Sequence, residues 1–141
     1  MIPTSYLMLA AMGFVLAGAP AAAETVTLKG DLKGANEVPP NNSSASGTAE
    51  ATFDTVTRRL AWTVNYTGLT GPATGAHFHG PAESGRNAGI VLPFQGAIAS
   101  PITGSATLNE AQAADLLAGR WYANIHTAIH PGGELRGQMV R

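Results

Sequence analysis

The clearest structural signal in the chain is the segment Arg59-Leu60-Ala61-Trp62-Thr63-Val64-Asn65-Tyr66. Its large apolar residues recur at every second position, and polar residues occupy most of the positions between them. This alternation is typical of a strand with one face in the core and the other in water. The segment therefore predicts a half-buried β-strand.

Similar segments lie before and after it, separated by short clusters of Gly, Pro, Asn and Ser. Together with residues 59–66 and a histidine-containing segment at 76–80, they give about eight short strands. Their number and spacing predict an all-β fold, namely an immunoglobulin-like or Greek-key β-sandwich or barrel. The remaining segments are residues 26–32, 48–54, 89–94, 101–107, 121–127 and 134–140.

One short helix is predicted near residues 109–118. A capping box can form over Thr107-Leu108-Asn109-Glu110, an Ala-, Gln- and Leu-rich stretch follows it, and Gly119 can end the helix. Residues 36–46 predict a loop, because Pro39 and Pro40 cannot both lie in a central strand.

The N-terminus predicts an export signal over residues 1–23. An uncharged, largely apolar stretch from Tyr6 to Ala19 is followed by Ala21-Ala22-Ala23, which offers a cleavage site between small residues. The apolar stretch is too short for a permanent anchor, so we expect no membrane span after cleavage. The mature chain, residues 24–141, is then a single periplasmic or secreted domain.

Composition narrows the classes of partner and of site. The 8 Lys and Arg and the 9 Asp and Glu are dispersed without runs, so no basic surface that would bind nucleic acid is predicted. Cysteine is absent, so the domain is held together by packing rather than by disulfides. A metal site in this chain must use His, carboxylate or Met ligands.

All four histidines lie in two short segments, residues 75–80 and 124–130. His77 and His79 leave the same face of an extended segment, so they can bind one metal ion together. His126 offers a third ligand, and His130, in a Pro-Gly-Gly turn, offers a fourth. The alternative is that all four are turn and surface residues that make local hydrogen bonds.

Copper is the metal that this set of ligands favours. Neutral imidazoles suit copper, zinc, nickel and iron, and copper(II) has the highest intrinsic affinity among the divalent ions. Without cysteine a blue-copper centre is excluded, so the prediction is one copper ion bound by histidines alone. Asn124, Thr127 and Glu134 are candidate hydrogen-bond partners for the imidazole N–H groups.

Several motifs resemble a CHRD (chordin-type) domain, and the resemblance spans nearly all of residues 24–141. It implies a β-sandwich more firmly than it implies an activity. The motifs are Glu37-Val38-Pro39-Pro40, Gly68-Leu69-Thr70, Ala76-His77-Phe78-His79-Gly80-Pro81-Ala82, Tyr122-Ala123-Asn124-Ile125-His126-Thr127 and Pro131-Gly132-Gly133-Glu134-Leu135-Arg136-Gly137-Gln138.

A more distant resemblance links Gly68-Leu69 and the segment Gly75 to His79 to the copper-zinc superoxide dismutases. It implies that His77, His79 and His126 bind copper and that Arg136 guides an anion toward it. The bridging histidine, the zinc-binding aspartate and the paired cysteines of that family have no counterpart here. The resemblance therefore implies one copper ion and no zinc subsite.

Other residues have simpler interpretations. Arg136 can instead form a surface ion pair with Glu134, which would stabilise the fold little. Trp62 and Trp121 are expected to anchor the core, and the alternation places Met139 in the core rather than on a metal.

Three functions follow from these observations. The favoured one is an exported protein that stores, buffers or transfers copper, with a copper donor or acceptor protein as its partner and no turnover. The second is a copper-only enzyme similar to superoxide dismutase. The third is an extracellular interaction module without a metal, which presents residues 36–46 and 80–89 to a partner.

Overall fold

The computed structural model describes residues 11, 13–18, 22 and 24–141. The described residues before Glu24 are exposed and have no regular secondary structure, and most of the predicted export signal, including Ala21 and Ala23 of its cleavage site, lies outside the described residues. Within the described ranges, no helix has the length and apolar character needed to cross a membrane.

Within residues 24–141, eight strands form one antiparallel sheet in the order β5-β4-β7-β8-β1-β2-β3-β6. The prediction of an all-β fold with about eight strands and one short helix is confirmed. The strands are β1 (Thr25–Lys33), β2 (Ser46–Asp54), β3 (Arg59–Thr67), β4 (Ala73–His79), β5 (Ile90–Pro93), β6 (Ile102–Thr107), β7 (Tyr122–Thr127) and β8 (Leu135–Gln138), and the helix is α1 (Glu110–Leu117).

The sheet curls into a half-barrel around its core. Phe78 on β4 and Trp62 on β3 are separated by four strands in the sheet order, yet their ring centroids are only 5.5 Å apart. In a flat sheet they would be roughly 24 Å apart, because neighbouring strands are spaced by about 4.8 Å. Phe94, which follows β5, packs against both rings, at 4.8 Å from Phe78 and 5.5 Å from Trp62.

Alternation along each strand fills this core. In β3, for example, Leu60, Trp62 and Val64 are buried while the residues between them are exposed, as the sequence predicts. Trp121 and Met139 are also fully buried, which confirms both as core residues.

The N-cap of the helix lies two residues later than predicted, at Asn109 rather than at Thr107. Asn109 is the N-cap, and its side chain accepts a hydrogen bond from the backbone N–H of Gln112, whose own side chain accepts one from Asn109 N–H. Thr107 cannot cap the helix because it is the last residue of β6, where it pairs with Arg59. Gly119, with a φ of 74°, ends the helix as predicted.

The loop predicted at residues 36–46 is confirmed for residues 37–45, between a short 3-10 helix (Gly34–Asn36) and β2, and it is tied to β8. Asn36 Nδ2 donates to the carbonyl of Arg136 at 3.0 Å, and Asn41 Nδ2 donates to the carbonyl of Glu134 at 3.1 Å. These two bonds hold Glu37 against β7 and β8 and so bring the loop beside the histidines.

Candidate metal centre

Strand β4 places His77 and His79 on one face of the sheet and Phe78 on the other. Phe78 is fully buried in the core, because successive side chains of a strand point to opposite faces. The ring centroids of His77 and His79 are 5.6 Å apart. The prediction that both imidazoles share one face is confirmed.

Strand β7 contributes His126. This strand pairs with β4, and the Cα partner of His126 is Gly75, so the His126 ring lies diagonally across from His77. Its centroid is 5.0 Å from that of His77 and 6.0 Å from that of His79. One nitrogen from each of the three rings lies within 4.8 Å of the other two. These residues form the three-histidine cluster.

Gly75 has no side chain, and this leaves room for the His77 ring of the cluster. A Cβ atom at this position would lie 3.2 Å from Cε1 and 3.6 Å from Nε2 of His77. A side chain there would crowd the imidazole, so the absence of one allows the His77 ring to lie over the strand.

Backbone carbonyls fix the tautomers of two of the three rings. Nδ1 of His79 lies 3.0 Å from the carbonyl oxygen of Ala88, and Nδ1 of His126 lies 2.9 Å from that of Pro131. A carbonyl oxygen can only accept, so both Nδ1 atoms carry a proton and both Nε2 atoms keep a lone pair. This is the arrangement in which an imidazole binds a metal through Nε2.

Five buried ring nitrogens have no hydrogen-bond partner among the described residues. Two are the indole nitrogens of Trp62 and Trp121, and the other three are imidazole nitrogens: Nδ1 of His77, Nε2 of His79 and Nε2 of His126. Buried polar atoms are nearly always paired, because an unpaired one costs about 1–3 kcal/mol. Each ring of the cluster thus has one such nitrogen, which a metal ion would satisfy.

The surroundings favour neutral imidazoles. Burial lowers the pKa of His77, and the neighbouring His126 and His79 lower it further. Burial also lowers the pKa of His79, against the opposing effect of its bond to Ala88. Near neutral pH these two rings therefore carry no charge and need not lose a proton to bind a cation.

Tyr122 and Arg136 form a stack behind His79. The Tyr122 ring is parallel to that of His79 within 2°, with centroids 4.8 Å apart, and Cζ of Arg136 lies 3.6 Å from the Tyr122 centroid. Because β7 lies between β4 and β8, Tyr122 separates the arginine from the histidine. The expected surface ion pair of Arg136 with Glu134 is wrong, since Arg136 is buried and donates to Asn87 Oδ1 at 2.7 Å and to the carbonyl of Arg86.

The three predicted side-chain partners of the imidazoles do something else. Asn124 donates to the carboxylate of Glu37 and to the carbonyl of Leu135. Thr127 donates to Glu134 at 2.8 Å, and Glu134 also accepts from Ser43 and Thr70. The prediction that they hold the imidazoles is therefore wrong, because backbone carbonyls occupy that role.

Glu37 is a buried carboxyl group near the cluster, in the cleft that His79, Tyr122 and Arg136 also line. Both of its oxygens accept from Asn124 Nδ2 at 3.1 Å. Burial raises the pKa of Glu37 to about 7, although the bond from Asn124 and the charge of Arg136 oppose the rise.

His130 lies in the turn between β7 and β8, where its backbone N–H donates to Thr127 Oγ1 at 3.2 Å. The structure does not bring its ring into the three-histidine cluster. Of the four histidines proposed from the sequence, three therefore come together.

Tyr122 is the neighbour of the cluster that the sequence analysis missed as a functional residue. The signal was available, because Tyr122, Asn124 and His126 alternate along β7 and must share a face. The carbonyls of Ala88 and Pro131 could not be identified from the sequence as partners of the imidazoles, since every residue has a carbonyl.

Comparison with known proteins identifies a family for the chain but no individual relative. No curated protein matches the chain, and no solved structure does. Residues 28–139 match the family model described as CHRD domain. This span includes the whole three-histidine cluster and most of the 141 residues, so the chain belongs to the CHRD domain family.

Proposed function

We propose that this protein binds one copper ion through His77, His79 and His126 and that it stores, buffers or transfers the ion. One observation carries the proposal: three buried imidazole nitrogens, one from each of these three histidines, lack a hydrogen-bond partner within the described chain. Nitrogens bound to one ion at about 2 Å lie at most about 4 Å apart. Rotation of the side chains can bring the cluster from its 4.8 Å limit into that range.

The choice of copper follows from the chemistry of the ligands. Three neutral imidazoles, with no thiolate in the chain, bind copper(II) more tightly than zinc, nickel or iron(II). Three ligands also leave coordination positions open. His77 and His126 are only half-buried, so an ion held there is accessible to a donor or acceptor protein.

The geometry favours binding over turnover of superoxide. The resemblance to the dismutases implies that Arg136 guides an anion to the metal. In the structure the Arg136 guanidinium donates hydrogen bonds to Arg86 and Asn87, and the Tyr122 ring lies between the guanidinium and His79. Guiding an anion to the cluster would need a free positive charge beside it. Arg136 does not provide that charge.

Copper titration of the purified protein, followed by electron paramagnetic resonance, tests the proposal. We expect one copper(II) ion per chain, with hyperfine coupling to nitrogen. Replacing any of His77, His79 or His126 by Ala removes one of three ligands. Loss of a group that only supports a metal ligand already weakens metal binding about 10- to 100-fold, so we expect each replacement to weaken copper binding at least tenfold.

His130→Ala is the matched control, because it removes an imidazole from the same β7 to β8 region without touching the cluster. It should leave copper affinity unchanged. Equal affinity in the wild-type protein and all three cluster variants would overturn the proposal and would favour the interaction module. Preference for zinc, nickel or iron in the same titration would overturn the choice of copper.

We also propose that the protein acts in the periplasm or outside the cell. The apolar stretch before Pro20 and the small residues after it support export. Mass spectrometry of the protein isolated from its own host should then find an N-terminus at Glu24. Recovery of the chain with residues 1–23 intact from the cytoplasm would contradict this proposal.

A further inference from the structure

The loop between β4 and β5, residues 80–89, contains the carbonyl that orients His79. Nδ1 of His79 donates to the Ala88 oxygen at 3.0 Å. The loop has no regular secondary structure. Whatever holds Ala88 in place therefore also decides which nitrogen of His79 carries the proton.

Tyr122 holds Ala88 by both of its backbone groups. The phenolic oxygen accepts from the Ala88 N–H at 3.1 Å and donates to the Ala88 carbonyl at 3.1 Å. One hydroxyl group can do both, since it has one hydrogen and two lone pairs. The Tyr122 side chain is buried, and its ring stacks on His79, so it touches the histidine and the carbonyl that fixes it.

Arg136 holds the two residues before Ala88. Its guanidinium donates to the carbonyl of Arg86 and to Asn87 Oδ1, and it lies over the Tyr122 ring. Such a planar fork can meet two oxygens at once, which a lysine ammonium cannot do in the same geometry. Arg136 is 3% exposed, so these contacts are made away from water.

We infer that Tyr122 and Arg136 are positioning residues for the metal site. They fix Ala88, whose carbonyl keeps His79 in the Nδ1–H tautomer and leaves Nε2 free to bind the ion. The metal-binding part of this inference rests on the proposed function, whereas the tautomer is a property of the metal-free protein. It assigns Arg136 a role other than guiding an anion.

The test is nitrogen-15 NMR of the imidazoles in the metal-free protein, combined with copper titration. We expect a single Nδ1–H tautomer at His79 in the wild-type protein. Tyr122→Phe, which removes only the hydroxyl group, and Arg136→Lys, which keeps the charge, should each populate the Nε2–H tautomer. Copper affinity should fall about 10- to 100-fold, as is usual when a group that orients a ligand is lost.

Two matched controls remove the same groups elsewhere. The hydroxyl of Tyr66 donates to a backbone carbonyl, that of Ile98, at 2.6 Å, and Arg120 is paired with Asp115. Tyr66→Phe and Arg120→Lys should leave the tautomer of His79 and the copper affinity as they are in the wild type.

Tyr122→Phe decides the outcome if Arg136→Lys does not fold. A folded Tyr122→Phe protein that keeps the single Nδ1–H tautomer and wild-type copper affinity would overturn the inference. If the wild-type protein binds no copper, the proposed function fails, while the tautomers of the metal-free variants still test the role of Tyr122 and Arg136.

Discussion

At the residue scale, the three clustered histidines differ in what holds them. His79 and His126 each donate from Nδ1 to a carbonyl, so their Nε2 atoms are committed to the cluster. In His77 the buried nitrogen without a hydrogen-bond partner among the described residues is Nδ1, and its ring is placed by the strand and by the space over Gly75. The metal binding that we propose would therefore use two Nε2 atoms and one Nδ1 atom.

Glu37 is the residue whose ionisation should affect stability most clearly. Its pKa is about 7 in the folded protein and 4.5 when exposed, so the folded state holds its proton more tightly. Stability therefore falls as pH rises from 4.5 to 7, by about 3 kcal/mol in total. Glu37→Gln, which cannot ionise, should be more stable than wild type by about that amount at pH 8, with the difference vanishing near pH 4.

Urea unfolding of both proteins across this pH range measures the difference. Glu83→Gln, at an exposed position, is the matched control for the loss of a carboxylate. A difference between Glu37→Gln and wild type that does not change with pH would show that Glu37 ionises in the folded protein as it does in water.

At the scale of the elements, Glu134 ties two loops to the β7 end. This carboxylate is fully buried immediately before β8 and accepts from the side chains of Ser43, Thr70 and Thr127. Burial alone would raise the pKa of Glu134, but the hydrogen bonds from these residues lower it below its ordinary value. The folded protein therefore stabilises the ionised form of Glu134.

Glu134→Gln tests this contribution. The amide replaces one acceptor oxygen by a donor and leaves at least one buried hydroxyl unpaired, so we expect a loss of about 1–3 kcal/mol in the free energy of unfolding. The urea midpoint at pH 7 provides the measurement, again with Glu83→Gln as control. Equal midpoints for the two variants would mean that the loops are held without Glu134.

At the scale of the whole molecule, alternation predicted the elements but not their arrangement. Leu60, Trp62 and Val64 identified β3 because burial of one face follows directly from strand geometry. The pairing of β7 with β4, which brings His126 to His77, depends on how the complete sheet closes around its core. The hydrogen-bond partners of the rings could not be predicted either, because they are carbonyls of loop residues whose side chains play no part in the contact.

The carbonyls of Ala88 and Pro131 have a consequence for how the family can diverge. A substitution does not remove a backbone carbonyl. Position 88, which lies outside the CHRD motifs, is therefore free to vary as long as its loop keeps its path, whereas Pro131 belongs to one of those motifs. Selection on the three-histidine cluster would then act on the histidines and on the side chains that hold the loop of Ala88 in place. Among CHRD domains that retain the cluster, we expect residues such as Tyr122 and Arg136 to be inherited together with the histidines, while the residue at position 88 varies.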